Sequence, residues 1–323
     1  MEQPKITRNV IHIISRYSNW SEKGIENYLK VKHIYADKTS WSKFIDILLL
    51  SLGAAFSLAG IILFFAYNWH NLHKFFKIGL TEGLLIVLIS LVAFTKFKPI
   101  VKNILLASAS IMVGVLFSVF GQIYQTGADA YDFFLGWTVF IIVWALISDF
   151  AVLWFILTIL INTTFVLYIN QAGPYLSTTL LCLILFILNT LIIVFTTVLR
   201  QRNKIANLPG WFNKALGFAA VTCITVSLMS GIFDHYPVEW FASLGITLLI
   251  FAAGITYSYK QRNLFYLCVI PLSVIIVCST LLAEIMGSLH GFTYFMISIF
   301  ILISITAMVI ELVKLTKKWN GIN

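Results

Sequence analysis

Long apolar runs alternate with short polar connections along most of the chain. Ten runs of 16 to 23 residues carry few charged side chains, and an α-helix needs about 20 apolar residues to cross the hydrocarbon core of a bilayer. The pattern therefore predicts an all-α fold, a polytopic membrane helix bundle with about ten transmembrane helices. The predicted spans are 47–67, 78–95, 101–120, 133–148, 150–169, 176–198, 215–233, 238–257, 264–282 and 291–313.

The fourth run is the shortest, and only Ser148 and Asp149 separate it from the fifth. Two full spans fit this pattern, and so does a re-entrant hairpin over residues 133–169. Both arrangements leave the later connections on the same sides of the membrane, so the pattern leaves this choice open.

Residues 1–46 precede the bundle, which is predicted to occupy residues 47–323, and they form an amphipathic helical lead. Apolar residues recur there at helical spacing, and a second short helix is predicted to begin at Ser21, whose hydroxyl can cap it. The lead lies on the membrane surface, folds against the bundle or docks a partner protein. No short apolar segment with a cleavage site opens the chain, so we expect the first span to direct insertion. The apolar residues of the two lead helices are Ile6, Val10, Ile13, Ile14 and Tyr17, followed by Ile25, Tyr28 and Leu29.

Composition excludes a single soluble domain. The 323 residues are 60% hydrophobic and 11% charged, whereas soluble domains are about half apolar and a quarter charged. The lipid bilayer is therefore the partner that must cover this surface. A net charge of +9 would suggest nucleic acid for a soluble protein, but the basic residues lie mainly in the lead and the connections, so we expect no nucleic-acid partner.

The distribution of Lys and Arg predicts the orientation. With ten spans, 20 of these residues fall on the side of the N-terminus, and only Lys74 and Lys77 fall on the other side. Merging the fourth and fifth spans into one crossing would give 11 on each side. Because basic connections stay in the cytoplasm, both termini are predicted to be cytoplasmic.

A polar stretch between the third and fourth spans, residues 114–137, faces outward in this topology and contains no Lys or Arg. Gly121 and Gly127 would let the connection turn tightly, and its polar side chains could line a wet cavity together with Glu82 of the second span. Alternatively, Asp129 or Asp132 caps the fourth span, and Glu82 pairs with Lys74 or Lys77 at the interface. The candidate ligand-binding residues are Glu82, Gln122, Tyr124, Gln125, Asp129 and Asp132.

Other polar or small residues have structural interpretations. Gly53, Ser57 and Gly60 share one face of the first span and would permit close helix packing. Asn162 and Asn189 lie inside spans, where such side chains bond between helices. Four histidines on the outer side are weak candidates for metal ligands, because no HExxH-type spacing is present. The four cysteines lie inside apolar runs, and no cofactor is predicted. The histidines are His70, His73, His235 and His290.

The run SLGAAFSLAGIILFFAYNWHNLHKFFKIG, Ser51 to Gly79, resembles the bacterial family of predicted membrane proteins called domain of unknown function 2157. The Asn68–Trp69 pair at the end of a first span rich in small residues carries the likeness, and the later GQIYQTGADAYDFFLGW is similar to a segment of that family. The resemblance, clearest over about residues 15–95, implies a multi-span protein of the bacterial inner membrane. It implies no activity and no catalytic residues.

Three functional hypotheses follow. The first is binding or transport of a small molecule or lipid through an outward-facing polar cavity. The second is a non-enzymatic envelope component that docks a partner protein through the lead or the outer connections. The third is a membrane enzyme that uses the outer carboxylates and histidines. Because no motif with a specific spacing supports catalysis, the sequence favours a protein that is not an enzyme.

Overall fold

The computed structural model describes residues 19, 21–31, 38–68, 72–124, 127–148, 150–201, 208–287 and 291–319. These residues form eleven α-helices and no strand, which confirms the predicted fold class. The helices are α1 (Glu22–Val31), α2 (Lys38–Asn68), α3 (Lys74–Phe94), α4 (Pro99–Tyr124), α5 (Ala130–Ile147), α6 (Ala151–Gln171), α7 (Thr178–Gln201), α8 (Gly210–Phe233), α9 (Val238–Gln261), α10 (Leu264–Ile285) and α11 (Gly291–Trp319).

Helix α1 is the second helix predicted in the lead. The hydroxyl of Ser21 accepts a hydrogen bond from the Gly24 N–H at 3.2 Å, which confirms its predicted role as a cap. Leu29 is buried, and Ile25 and Tyr28 are half-buried, so the predicted apolar face is covered within the chain. The other predicted lead helix lies outside the described residues.

Helices α2 to α11 are each long and apolar enough to cross a membrane, so the described residues hold the ten predicted candidate spans. Several helices extend beyond the apolar runs that predicted them. Helix α2 begins at Lys38 instead of residue 47, and α4 continues to Tyr124 instead of ending at residue 120. The physical reason is that backbone hydrogen bonding continues a helix past the last apolar residue, into the polar interface.

Helices α5 and α6 support two full spans over a re-entrant hairpin. With 18 and 21 residues, they are about 27 Å and 31 Å long, close to the thickness of the hydrocarbon core. The hydroxyls of Thr138 and Thr164 lie 3.1 Å apart, and the Tyr131 N–H donates to Gln171 Oε1 at 2.9 Å. The two helices therefore pack antiparallel from the start of α5 to its middle.

The chain divides into two compact units, Met1–Val115 and Leu116–Asn323, and the boundary falls inside α4. In the first unit, the inner face of α3 buries Lys77, Thr81 and Leu85. The Thr81 hydroxyl donates to the Ile78 carbonyl at 2.9 Å, so this buried polar group is satisfied within its own helix.

In the second unit, α8 is the most buried of the candidate spans and packs against α7, α9 and α10. Its apolar side chains join a core formed by Leu183, Phe186, Ala220, Val221, Ile224, Leu228, Phe251 and Ile270. Hydroxyl groups connect the helices inside this core, where Ser227 Oγ donates to the Thr179 carbonyl at 2.7 Å and the hydroxyls of Thr225 and Ser273 lie 2.6 Å apart. Such bonds hold helices together where no water is present.

The predicted bonding of Asn162 and Asn189 is confirmed. Asn189 Nδ2 donates to Asn162 Oδ1 at 2.8 Å, and Asn162 Nδ2 donates to Asn189 Oδ1 at 3.2 Å. Each amide also donates to a carbonyl of its own helix, at Thr158 or Leu185. The two amides therefore form a reciprocal pair between α6 and α7.

The two ends of the second unit differ in charge. At one end, aromatic rings from five helices are in contact in pairs. The pairs are Phe155 with Trp211, Tyr257 with Tyr266, and Tyr259 with Trp319. Within the described part of this unit, the Lys and Arg residues lie toward that end, which we call the basic end; they are Arg200, Lys214, Lys260, Arg262, Lys314, Lys317 and Lys318. The opposite, acidic end carries Asp129, Asp132, Asp234, Glu239 and Glu284.

Candidate functional site

The polar residues predicted between the third and fourth spans lie around the acidic end. Gln122 and Tyr124 belong to the last turn of α4, Asp129 immediately precedes α5, and Asp132 lies in its first turn. All four side chains are exposed. Gln125 lies outside the described residues. Binding of a ligand by these residues stays a prediction.

The carboxylate of Asp132 acts locally at the start of α5. Its Oδ2 accepts a hydrogen bond from the Asp129 N–H at 3.1 Å, as in a capping box. A carboxylate in the first turn also interacts favourably with the positive end of the helix dipole. These contacts support the alternative interpretation, in which the acidic pair stabilises the helix start.

The two glycines of this stretch have different roles. Gly127 has a φ of +66°, which favours glycine, so the predicted tight turn at this position is confirmed. The prediction that Gly121 also serves the turn is wrong, because α4 continues through this residue. A Cβ atom at Gly121 would lie 2.3 Å from the ring of Phe133, so this glycine gives room for α5 to pack closely on α4.

Glu82 belongs to the first unit, and the other candidate ligand residues belong to the second. It lies on an exposed face of α3, eight residues after Lys74, or about 12 Å along the helix axis. Lys77 is buried, and five residues of helix place it about 140° around the axis from Glu82. Convergence of Glu82 with the outer carboxylates stays a prediction.

The predicted packing face of α2 is open in the described structure. Gly53, Ser57 and Gly60 are all exposed, and a Cβ atom at either glycine would meet no atom within 4 Å. Close packing of another helix against Gly53, Ser57 and Gly60 stays a prediction.

The histidine candidates are only partly described. His73 immediately precedes α3, and its ring centroid lies 5.5 Å from that of Phe75. His235 belongs to the turn between α8 and α9, with its Nδ1 atom 3.9 Å from Glu284 Oε1. His70 and His290 lie outside the described residues. Within the described ranges, no group of three His, Cys, Asp or Glu side chains is arranged to hold a metal ion.

Sequence reasoning missed a cavity of about 410 Å³ among α7, α8, α9 and α10. Its deep wall is apolar and is formed by Phe186, Val221, Phe251 and Ile270. Polar and charged side chains appear toward the basic end, namely Thr197, Asn213, Lys214, Tyr257 and Asn263. A concave, mostly apolar volume with a few polar groups at one end is typical of a site for a small amphipathic molecule.

The cavity runs along the helices. Phe186 and Thr197 of α7 both line it, and so do Gly210 and Val221 of α8. Each pair is eleven residues apart, or about 16 Å along the axis, which is roughly half the hydrocarbon thickness. Val194, Val198 and Tyr257 line the cavity with exposed side chains, so it opens sideways between α7 and α9.

Hydrogen bonds fix the polar end of this cavity. The Tyr266 hydroxyl donates to the Asn213 carbonyl at 3.1 Å, and Asn213 Nδ2 approaches Thr197 Oγ1 at 3.4 Å. The ring of Tyr266 fills the space over Gly217, where a Cβ atom would lie 2.6 Å from it. Asn213 Oδ1 is buried, and no hydrogen-bond donor reaches it from the described residues.

One signal in the sequence could have indicated this site. Asn213 and Lys214 precede the apolar run that predicts the seventh span, so the apolar pattern places them in a connection. In the structure α8 begins at Gly210, so both side chains belong to a helix that forms a wall of the bundle. The helix extends beyond its apolar residues, so a boundary drawn from hydropathy alone leaves both side chains outside it.

Residues 19–154 match the family model described as "Predicted membrane protein (DUF2157)". The match confirms the resemblance derived from the sequence, and it contains both the Ser51–Gly79 run and the polar stretch before α5. The DUF2157 match ends near the start of α6, so the residues that line the cavity lie beyond it. No curated protein and no solved structure matches the chain.

Proposed function

We propose that this membrane protein binds a membrane lipid in the cavity formed by α7, α8, α9 and α10. The cavity itself carries the proposal, because it is apolar at depth, polar at one end and open sideways. A water-soluble ligand would gain little from the apolar walls, whereas an acyl chain would cover them. The sideways opening would let a lipid enter without leaving the bilayer.

The proposal includes an orientation in the bacterial inner membrane. The described Lys and Arg residues of the second unit lie toward one end, and basic residues remain on the cytoplasmic side of bacterial inner-membrane proteins. The basic end is therefore the cytoplasmic end, and the cavity opens into the inner leaflet. This location replaces the outward-facing polar cavity as the preferred ligand site.

Binding is proposed instead of transport. The cavity extends from the polar end over about 16 Å, or one leaflet, and its deep wall is closed by the buried core residues Phe186, Phe251 and Ile270. A site with this shape retains a lipid in one leaflet. Movement of a lipid across the membrane would need these core side chains to separate.

A variant that fills the cavity tests the proposal. Ala252 and Ala253 are both exposed, and of the two only Ala253 lines the cavity. We expect the wild-type protein, gently extracted and measured by native mass spectrometry, to carry one lipid molecule. Ala253→Phe should lose most of this adduct, because its ring would occupy the space of the acyl chain.

The matched control is Ala252→Phe, which adds the same ring to the lipid-facing surface and should keep the adduct. Both variants should show unchanged helix content by circular dichroism. If wild type carries no lipid, or if Ala253→Phe retains as much as Ala252→Phe, lipid binding in this cavity is wrong.

Docking of a partner protein through the lead remains the second proposal. The amphipathic α1 motivates it, although Leu29 is already buried within the chain. Deletion of residues 1–37 leaves α2 intact and should abolish co-purification of a partner that binds the lead. Co-purification that survives the deletion would exclude the lead as the docking site.

A further inference from the structure

The geometry points to the class of lipid: an acidic glycerophospholipid whose head group carries a hydroxyl, of the phosphatidylglycerol type. Its phosphate would pair with Lys214, its head-group hydroxyl would donate to Asn213 Oδ1, and one acyl chain would fill the apolar part of the cavity. This inference rests on the proposed function, because it assigns the head group of the lipid that the cavity holds.

The unpaired oxygen of Asn213 favours a ligand that carries a hydrogen-bond donor. Thr197 Oγ1 already donates to the Ile193 carbonyl at 2.7 Å, so it can only accept a bond from the Asn213 amide group. This orientation leaves Asn213 Oδ1 as the buried atom without a donor among the described residues. A buried acceptor without a partner is unfavourable. Because protein atoms cover Oδ1, a ligand hydroxyl would reach it once the Asn213 amide turns from its 3.4 Å contact with Thr197 toward the cavity.

Lys214 favours a ligand with a negative charge at the same end of the cavity. It follows Asn213 in the chain, lines the cavity and has an exposed side chain, as expected for a lysine at the level of lipid head groups. Both residues lie near the N-terminus of the 24-residue α8, whose dipole also favours an anion.

The apolar part of the cavity favours a ligand with an acyl chain. From Asn213 to the level of Val221, α8 rises about 12 Å, and the surrounding wall is formed by Phe186, Phe251 and Ile270. This depth lies within one leaflet, as an acyl chain does. The opening beside Val194 and Val198 leaves space for the second chain to remain in the bilayer.

Three lipids with identical acyl chains separate the contribution of the phosphate charge from that of the head-group hydroxyl. Each lipid is titrated into the full-length, delipidated protein in detergent, and binding is followed by native mass spectrometry. Phosphatidylglycerol has both the charge and the hydroxyl, phosphatidylmethanol has the same single charge without a hydroxyl, and phosphatidylcholine is zwitterionic. We expect phosphatidylglycerol to bind about tenfold more tightly than phosphatidylcholine, as one charge-assisted contact would produce. Lys214→Gln should reduce this ratio to about twofold or less.

The matched control is Lys260→Gln, because Lys260 is exposed at the same basic end but does not line the cavity. It should leave the tenfold ratio unchanged. Wild type should prefer phosphatidylglycerol over phosphatidylmethanol, and Asn213→Leu should remove this preference. Asn213→Asp, which preserves the shape of the side chain, should weaken both acidic lipids, since its carboxylate would repel the phosphate.

Retention of the tenfold ratio in Lys214→Gln, or its loss in Lys260→Gln, would overturn the assignment of the phosphate site. Equal binding of all three lipids by wild type, with loss of binding in Ala253→Phe, would overturn the head-group assignment and leave the lipid cavity standing. Absence of binding of every lipid to folded wild-type protein would overturn the cavity proposal as well.

Discussion

Two amide side chains inside the apolar bundle are paired with each other. The amides of Asn162 and Asn189 satisfy each other and a carbonyl of their own helix. Loss of either side chain leaves its partner without one of its hydrogen bonds. Such pairs therefore bind two helices in one relative position, which apolar contacts alone define less sharply.

The amide pair gives a prediction at the scale of single residues. Asn189→Ala should lower the free energy of unfolding in detergent micelles by about 1 kcal/mol. The double variant Asn162→Ala with Asn189→Ala should be less destabilised than the sum of the two single variants, because neither amide is then left unpaired. Both values are measured by denaturant titration followed by circular dichroism.

The control is Thr222→Ala, since the exposed Thr222 hydroxyl donates only to Phe218 of its own helix. It should change stability by less than about 0.5 kcal/mol. Strict additivity of the two Asn variants would show that the amides do not interact in the membrane protein.

At the scale of helices, glycines decide how closely neighbours approach. A Cβ atom at Gly231 would lie 2.2 Å from the ring of Trp240, whose Nε1 donates to the Leu228 carbonyl at 3.0 Å. Gly121 and Gly217 likewise accommodate the rings of Phe133 and Tyr266. In each case an aromatic side chain of one helix packs into the space that a glycine leaves on a neighbouring helix.

This arrangement predicts opposite effects for two alanine substitutions. Gly231→Ala should lower the Tm and destabilise by about 1–3 kcal/mol, because the tryptophan ring must move. Gly245→Ala, where nothing lies within 4 Å, should be neutral or stabilising by up to about 1 kcal/mol, because alanine favours helix. Thermal unfolding monitored by tryptophan fluorescence measures both, and an equal loss in the two variants would contradict close packing at Gly231.

The apolar pattern predicts how many helices exist better than it predicts which faces meet. The lengths of the apolar runs are enough to predict ten candidate spans, because each helix satisfies its own backbone hydrogen bonds and meets lipid independently of the others. The cavity needs four helices to converge, and no local pattern encodes that. Gly217 and Gly231 pack against the rings of Tyr266 and Trp240, and the spacing of small residues around each glycine does not indicate which ring it meets.

The same contrast between local and distant contacts applies to the individual residues discussed above. The Ser21 cap and the turn at Gly127 follow from local chemistry and are predictable. The role of Gly121 depends on the distant ring of Phe133, and the importance of Asn213 depends on Thr197 and Tyr266. Contacts between residues far apart in the chain were the part that sequence alone did not supply.

At the scale of the whole molecule, the proposed orientation predicts which residues can be labelled from outside the cell. In a variant whose native cysteines are replaced by serine, a cysteine at Tyr236, in the turn at the acidic end, should react with a membrane-impermeant maleimide on intact spheroplasts. A cysteine at Lys260, at the basic end, should react only after lysis. The opposite pattern would invert the orientation and place the cavity in the outer leaflet.

The reciprocal amide pair also constrains how the protein is made. Asn162 leaves the ribosome 27 residues ahead of Asn189, and synthesis at about 5–20 residues per second separates them by roughly one to five seconds. During that interval α6 carries an amide whose partner has not yet been translated. We therefore expect α6 to remain beside the insertion machinery until α7 emerges, so that the two helices pass into lipid together as a pair.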